Sequence, residues 1–154
     1  MFWGCFSWWG IGPLVEVDGN MNSEGYIDIL AKYFVPWARS LAENHPYEPQ
    51  LVFQQDLASV HTSQYSTWWM ETHDFKILEW ASHSPDLNPI ENLWEHLDSA
   101  LRKQKSIPIK KEELINAIRD EWNNLSQEYL RTLISSMPNR VKSIIRVKGW
   151  HTKY

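Results

Sequence analysis

Tyr26, Ile29, Leu30, Tyr33, Phe34, Trp37 and Leu41 fall at steps of three and four, which gives a helix one apolar face. Asn22 or Ser23 is its expected cap. Pro36 lies inside the pattern and is expected to kink it. Upstream, the aromatic-rich residues 2–9 read as a strand. Gly10-Ile11-Gly12-Pro13 reads as a turn and Leu14–Val17 as the partner strand of a hairpin. Downstream, Leu51-Val52-Phe53 predicts a short buried strand, Thr62–Thr72 a helix, and Phe75–Trp80 another strand. After a loop through Ser84-Pro85-Asp86-Leu87, Asn88 is placed as the cap of a helix with Pro89 at its first position. Ile90, Leu93, Trp94, Leu97 and Leu101 form that helix's buried face. Residues 103–109 read as a linker. Lys110–Trp122, Gln127–Met137 and Pro138–Val147 read as three more helices, the last ended by Gly149. Strands first, then strands alternating with helices, then helices alone predict a mixed α/β sheet with helices packed on it.

The 154 residues fit one domain with a real core. A hydrophobic fraction of 43% and a mean hydropathy of −0.48 suit a globular chain. No apolar stretch approaches the ~20 residues a membrane helix needs. The N-terminus lacks the basic start of a signal peptide. Cys5 is the single cysteine, which excludes an internal disulfide and points to a reducing compartment, cytosol or nucleus. The net charge of −4 hides an asymmetry. Residues 1–99 carry three Lys/Arg against fourteen Asp/Glu, whereas residues 100–154 carry twelve against five. An acidic body with a basic tail suits a protein that gathers cations at one place and meets phosphate at another; a solvated helix face is the plainer reading. Ten tryptophans are many for this length. Most are expected in the core, with Trp8-Trp9 and Trp68-Trp69 as the pairs that could stack on bases.

Two carboxylates stand out. Asp56 follows the apolar run that ends at Phe53, and ligands of α/β sheets collect at the carboxyl ends of strands. Glu91 lies one turn into a helix, with thirty-four residues between it and Asp56. Two acids on rigid elements can share a hard cation such as Mg²⁺, which takes oxygen ligands. Each has a plainer role. Asp56 could cap a loop, and Asn88-x-x-Glu91 is close to a capping box. On the residues alone both readings stay open. His61, five residues after Asp56, is a candidate substrate or metal-orienting contact, or simply a surface residue. Zinc spacing and a Gly-rich phosphate loop are absent from the sequence.

The segments Phe53-Gln54-Gln55-Asp56 and Ser84-Pro85-Asp86-Leu87-Asn88-Pro89-Ile90-Glu91-Asn92-Leu93-Trp94 resemble the signatures of Tc/mariner-type DDE transposases. Met1–Ser7, Gly12-Pro13-Leu14, Asp18-Gly19-Asn20-Met21 and Gly149–Tyr154 extend the resemblance along the whole chain. The resemblance implies a ribonuclease-H-like α/β fold. Its core would occupy about residues 1–104 and a helical C-terminal part about 105–154. It implies that Asp56 and Glu91 are the second and third acids of a catalytic triad that binds Mg²⁺ or Mn²⁺. The implied activity is hydrolysis of a phosphodiester at a transposon end and attack of the freed 3′-hydroxyl on target DNA. The implied partners are DNA ends and target DNA, with self-association or pairing with a full-length transposase as a further option, and the implied location is the nucleus. In the family the first acid lies on a strand upstream of the segment where this chain begins. The first strands and a DNA-reading helix-turn-helix would precede it too. The 154 residues alone are therefore expected to be inactive. Leu57 stands where the family usually has Asn. The competing expectation is a non-enzymatic DNA-binding or transposase-interacting remnant, distinguished by metal-dependent cleavage.

Overall fold

The computed structural model describes residues 1–46, 51–82, 84–104, 110–148, 150 and 152. The predicted linker beyond Gln104, Gly149 and most of the tail lie outside the described residues. The chain divides into two compact units: Met1–Gly4 with Val15–Ser84, and Cys5–Leu14 with Pro85–Tyr154. The strands occur as two small sheets, β1 with β2 and β3 with β4.

Strands β1 (Phe2–Ser7) and β2 (Gly10–Glu16) form the predicted hairpin, but the turn falls at Trp8-Trp9. Ser7 explains the shift. Its Oγ accepts from Trp9 N–H at 3.2 Å and donates to Gly10 O at 3.4 Å, closing the turn before the glycines. Gly10, with φ +155°, then starts β2, which runs on through Pro13. Met1 and Val17 close the open end, with Val17 N–H donating to Met1 O at 2.8 Å.

In the first unit, helix α1 (Ser23–Ile29) begins where Asn22 Oδ1 accepts from Gly25 N–H at 2.9 Å. The expected kink at Pro36 takes another form. A π-helical segment, Leu30–Phe34, leads into α2 (Val35–Asn44), so that Pro36 falls in the first turn of α2. There its missing N–H leaves no bond unmade. The widened turn is seen in Val35 N–H, which donates to Leu30 O. This element buries Tyr26, Ile27, Ile29, Leu30, Phe34 and Ala38. Phe34 is the centre of an aromatic cluster, with ring centroids 4.5 Å from Phe53, 5.4 Å from Phe75, 6.1 Å from Trp37 and 6.4 Å from Trp3.

Strands β3 (Val52–Phe53) and β4 (Lys76–Ile77) pair in parallel, Val52 opposite Lys76 and Phe53 opposite Ile77. The pair is shorter than predicted, and β3 is not buried: Val52 is 44% exposed. The predicted helix over 62–72 is two helices, α3 (Ser59–Thr62) and α4 (Gln64–Thr72). Ser63 divides them, because its Oγ caps α4 by accepting from Ser66 N–H at 3.1 Å while its own backbone stays extended. Trp69 and Met70 face the core of this unit.

In the second unit, α5 (Ile90–Lys103), α6 (Lys111–Asn123), α7 (Gln127–Ser135) and α8 (Met137–Arg146) follow the predicted order. Leu93, Leu97, Trp122, Leu130 and Leu133 make the core, with Phe6, Ile11 and Leu14 packed against it. Trp122 stacks on Trp94 at 5.4 Å and donates its indole N–H to Gly12 O at 2.9 Å, so a fully buried indole has its partner. The hairpin apex is pinned to α7. Arg131 Nε donates to Trp8 O at 3.2 Å, and its guanidinium lies 5.4 Å over the Trp8 ring. Trp8 remains 40% exposed beside this cation. After α8, Lys148 takes the left-handed backbone at φ +54°.

Candidate active site

Asp56 follows β3 by three residues, in the first unit. Its Oδ1 accepts from Ala58 N–H at 3.0 Å, the local turn that Asp side chains favour. The same Oδ1 lies 2.6 Å from His61 Nδ1. A carboxylate only accepts, so Nδ1 carries the proton and the other ring nitrogen, Nε2, faces away from Asp56. His61 in turn rests on the ring of Tyr26, with centroids 4.4 Å apart. Tyr26 is 1% exposed, and its hydroxyl donates to Gln55 Oε1. Burial, and then the Asp56 charge, push its phenol pKa upward, so it stays neutral. Four residues therefore hold one another: Tyr26 on α1, Gln55 and Asp56 on the loop, His61 on α3. The sequence pointed to Asp56 and His61. Tyr26 and Gln55 escaped notice because one reads as ordinary core and the other as an ordinary loop residue.

Glu91 belongs to the second unit, where it is exposed in the first turn of α5. The helix dipole favours an acid there. The entry to α5 is built from its neighbours. Asn88 N–H donates to Pro85 O at 2.8 Å, closing the 3-10 turn Pro85–Leu87, and Asn88 Oδ1 accepts a long 3.4 Å bond from Ile90 N–H. The helix starts at Ile90, so Asn88 acts one residue further out than a standard cap. A hard cation takes carboxylate oxygens and water. Both acids supply that donor type. Asp56 is 53% exposed at its side chain, and its Oδ2 accepts no hydrogen bond among the described residues. No group of three or more His, Cys, Asp or Glu side chains gathers around one point among the described residues.

The second unit also contains a cluster that the sequence reading missed. Arg140 on α8 is 2% exposed. Its guanidinium donates to Ser136 Oγ at 2.7 Å, to Asp86 O at 2.9 Å and to Asn92 Oδ1 at 2.5 Å. Asp86 Oδ2 accepts from Thr152 N–H at 2.6 Å and from Thr152 Oγ1 at 2.7 Å. The signal was legible: Met137, Arg140, Ile144 and Val147 fall at steps of three and four, so an arginine stands at a core position.

Other conspicuous residues are inert or structural. Burial pushes the Cys5 thiol far up, which suppresses the reactive thiolate. Trp69 is buried, while Trp68 is 56% exposed and stacks on Tyr65 at 6.0 Å. No helix among the described residues is long and apolar enough to cross a membrane.

Comparison with known proteins bears on the family and the fold. The family model of the DDE superfamily endonucleases matches residues 15–115. The transposase of transposable element Tcb1 from Caenorhabditis briggsae is 38% identical over 154 residues, and that of Tcb2 from the same organism 37%. The Tc1 element transposase of Caenorhabditis elegans is 34% identical. Each alignment covers all of this chain, and the chain spans about half, 54%, of each relative. Among solved structures, the catalytic domain of Mos1 mariner transposase superposes with a TM-score of 0.79 at 22% identity, covering 96% of this chain and 73% of that one. The same domain with Raltegravir and Mn superposes with a TM-score of 0.81 at 20% identity, covering 96% and 74%. At such identities the likeness gives the fold, which is ribonuclease-H-like. The match of the family model over most of the chain gives the lineage: this chain belongs to the DDE superfamily endonucleases.

Proposed function

We propose that this chain forms the catalytic part of a Tc1/mariner-type transposase that cuts and joins DNA, with Asp56 and Glu91 each a ligand for divalent metal, Mg²⁺ or Mn²⁺. The arrangement around Asp56 carries the reading. A carboxylate just after a strand has one oxygen fixed by Ala58 N–H and His61, and the other accepts no hydrogen bond among the described residues. A surface acid that only capped a loop would not need a histidine seated on a buried tyrosine behind it. The relatives named as transposases, and the Mos1 structures that hold Mg or Mn or paired transposon ends, support the same class of chemistry.

In two-metal phosphoryl transfer the bound cations activate the attacking oxygen and stabilise the leaving one. What the residues of this chain do is narrower. Asp56 presents Oδ2 in a fixed direction. His61 holds Oδ1 through Nδ1 and presents Nε2 toward substrate, where a phosphate oxygen can accept from it when protonated. Tyr26 sets the plane of His61. Glu91 presents its carboxylate from the first turn of α5. DNA is the proposed partner, and the basic helices after residue 100 are its proposed docking surface.

The test is nicking of transposon-end DNA in Mn²⁺ by the product of the intact open reading frame that encodes this chain, beside Asp56→Ala. Loss of nicking by orders of magnitude in the variant is expected. Equal nicking by both proteins defeats the assignment, and salt-dependent DNA binding without any cleavage by either would favour a non-enzymatic DNA-binding role.

A further inference from the structure

Arg140 is the one buried charged side chain among the described residues. It lies on the inward face of its helix, whose other side is exposed, Val141 at 42% and Ile145 at 71%. An apolar side chain of similar length would fill the same position without removing a charge from water. What an apolar chain cannot do is fix several oxygens at once, and a planar guanidinium can.

The positions of those oxygens are informative. Asp86 O belongs to the 3-10 turn that leads into α5, and Asn92 Oδ1 belongs to the residue directly after Glu91. Arg140 therefore bridges both ends of the segment 86–92, which carries Glu91 near its C-terminal end. Its Nε, bound to Ser136 Oγ, fixes the guanidinium to the start of its own helix. On the other flank, Thr152 holds the Asp86 carboxylate through two short bonds. Tyr129 adds a third brace, donating its hydroxyl to Asn92 O at 3.4 Å. Tyr129 on α7, Arg140 on α8 and Thr152 converge on one seven-residue loop and helix start.

We propose that Arg140, supported by Thr152 on Asp86, is the positioning residue for Glu91, and that Arg140 and Thr152 together are a clamp that fixes the direction of the Glu91 carboxylate toward its cation. The inference rests on the reading of Glu91 as a metal ligand. Arg140 touches neither metal nor substrate in this scheme, and acts through the Asp86 carbonyl on one side of Glu91 and the Asn92 side chain on the other.

The experiment measures Mn²⁺ affinity of the full chain by electron paramagnetic resonance, well below the melting temperature, with melting recorded separately. The variants are Glu91→Gln, Arg140→Lys, Arg140→Met and Thr152→Val. Partners that orient a metal ligand typically matter by 10–100-fold, so Arg140→Met should weaken Mn²⁺ on the order of tenfold, and Arg140→Lys by less, because one donor of the fork is restored. Thr152→Val removes one bond to Asp86 from a tail residue, leaves the core intact, and should weaken Mn²⁺ about threefold even if Arg140→Met fails to fold. A purely structural Arg140 would lower melting without moving the affinity of the folded protein. The clamp is overturned if Arg140→Lys and Thr152→Val bind Mn²⁺ within about twofold of the unsubstituted chain while Glu91→Gln binds much more weakly. Unchanged binding in Glu91→Gln removes the metal reading itself, and this inference with it.

Discussion

Cys5 shows how a single residue sets a pH limit on the fold. Its thiol is buried, and desolvation alone raises its pKa above the ordinary value of 9.0. Above pH 9.0 the unfolded chain releases this proton while the folded chain keeps it, so the unfolded state binds fewer protons and stability falls as pH rises. The contribution is complete below the ordinary value and is lost progressively above it. Urea midpoints of the unsubstituted chain should therefore drop between pH 9 and 10 with a component that Cys5→Ala lacks, up to ~1.4 kcal/mol per pH unit. Identical slopes for the two proteins would show that the thiol is not the group responsible. The same distinction between what a residue is and where it lies governed the legibility of the candidate site. Asp56, His61 and Glu91 could be picked out because each stands at a recognisable place: after an apolar run, near a helix start, one turn into a helix. The inward position of Tyr26 and of Arg140 was readable from helix spacing, but their partners were not. Their roles come from partners 29 and 48–54 positions away in the chain, Gln55 in one case, Asn92 and Asp86 in the other. No local pattern encodes such pairings.

Among the elements, α5 presents its catalytic candidate and its core residues on different faces. Leu93 is fully buried, while Glu91, two residues earlier, is exposed. Leu93→Ala should cost about 2–5 kcal/mol, read as a shift of the urea midpoint with an unchanged slope. Leu114→Ala on α6, at a side chain 37% exposed, should cost well under half of that. Comparable losses at both sites would mean that the core is not centred on Leu93, Leu97 and Trp122. Period 3.6 made α5 to α8 readable to within a residue or two; one face of α5, α6 and α7 packs on a single core, and α8 turns one face inward at Arg140. The first unit was harder. Pro36 fits its helix only because a π-helical turn takes up the register beforehand, and Ser63 splits a continuous apolar pattern by offering its hydroxyl as a cap. Both outcomes depend on where backbone N–H groups find partners, which the apolar spacing does not record. The two residues of β3 and two of β4 are likewise held by pairing with each other, Leu78 N–H reaching Phe53 O at 2.8 Å, rather than by a buried apolar run.

At the scale of the whole molecule, charge is what distinguishes the two ends of the chain. Residues 100–154 hold twelve Lys/Arg against five Asp/Glu, and within them α8 exposes Lys142 and Arg146 one turn apart. Neither makes an ion pair among the described residues, in contrast to Arg102, whose Nε lies 2.7 Å from Asp98. A cation already matched by a carboxylate releases little on meeting phosphate, whereas an unmatched one displaces a counterion from the DNA. If the C-terminal helices are the DNA-facing surface, the logarithm of the binding constant should fall linearly with the logarithm of salt concentration. Neutralising one phosphate-binding cation should then reduce the slope by about 0.9. Lys142→Gln with Arg146→Gln should thus flatten the slope by about 2 in fluorescence anisotropy titrations between 50 and 200 mM salt. Arg39→Gln, on exposed α2 in the acidic part of the chain, should leave it unchanged. A flattened slope with Arg39→Gln but not with the α8 pair would move the interface to the first unit. It would also mean that the basic C-terminal stretch serves solubility alone, because sequence-independent attraction to DNA depends on which cations are unmatched and not on the total carried by a segment.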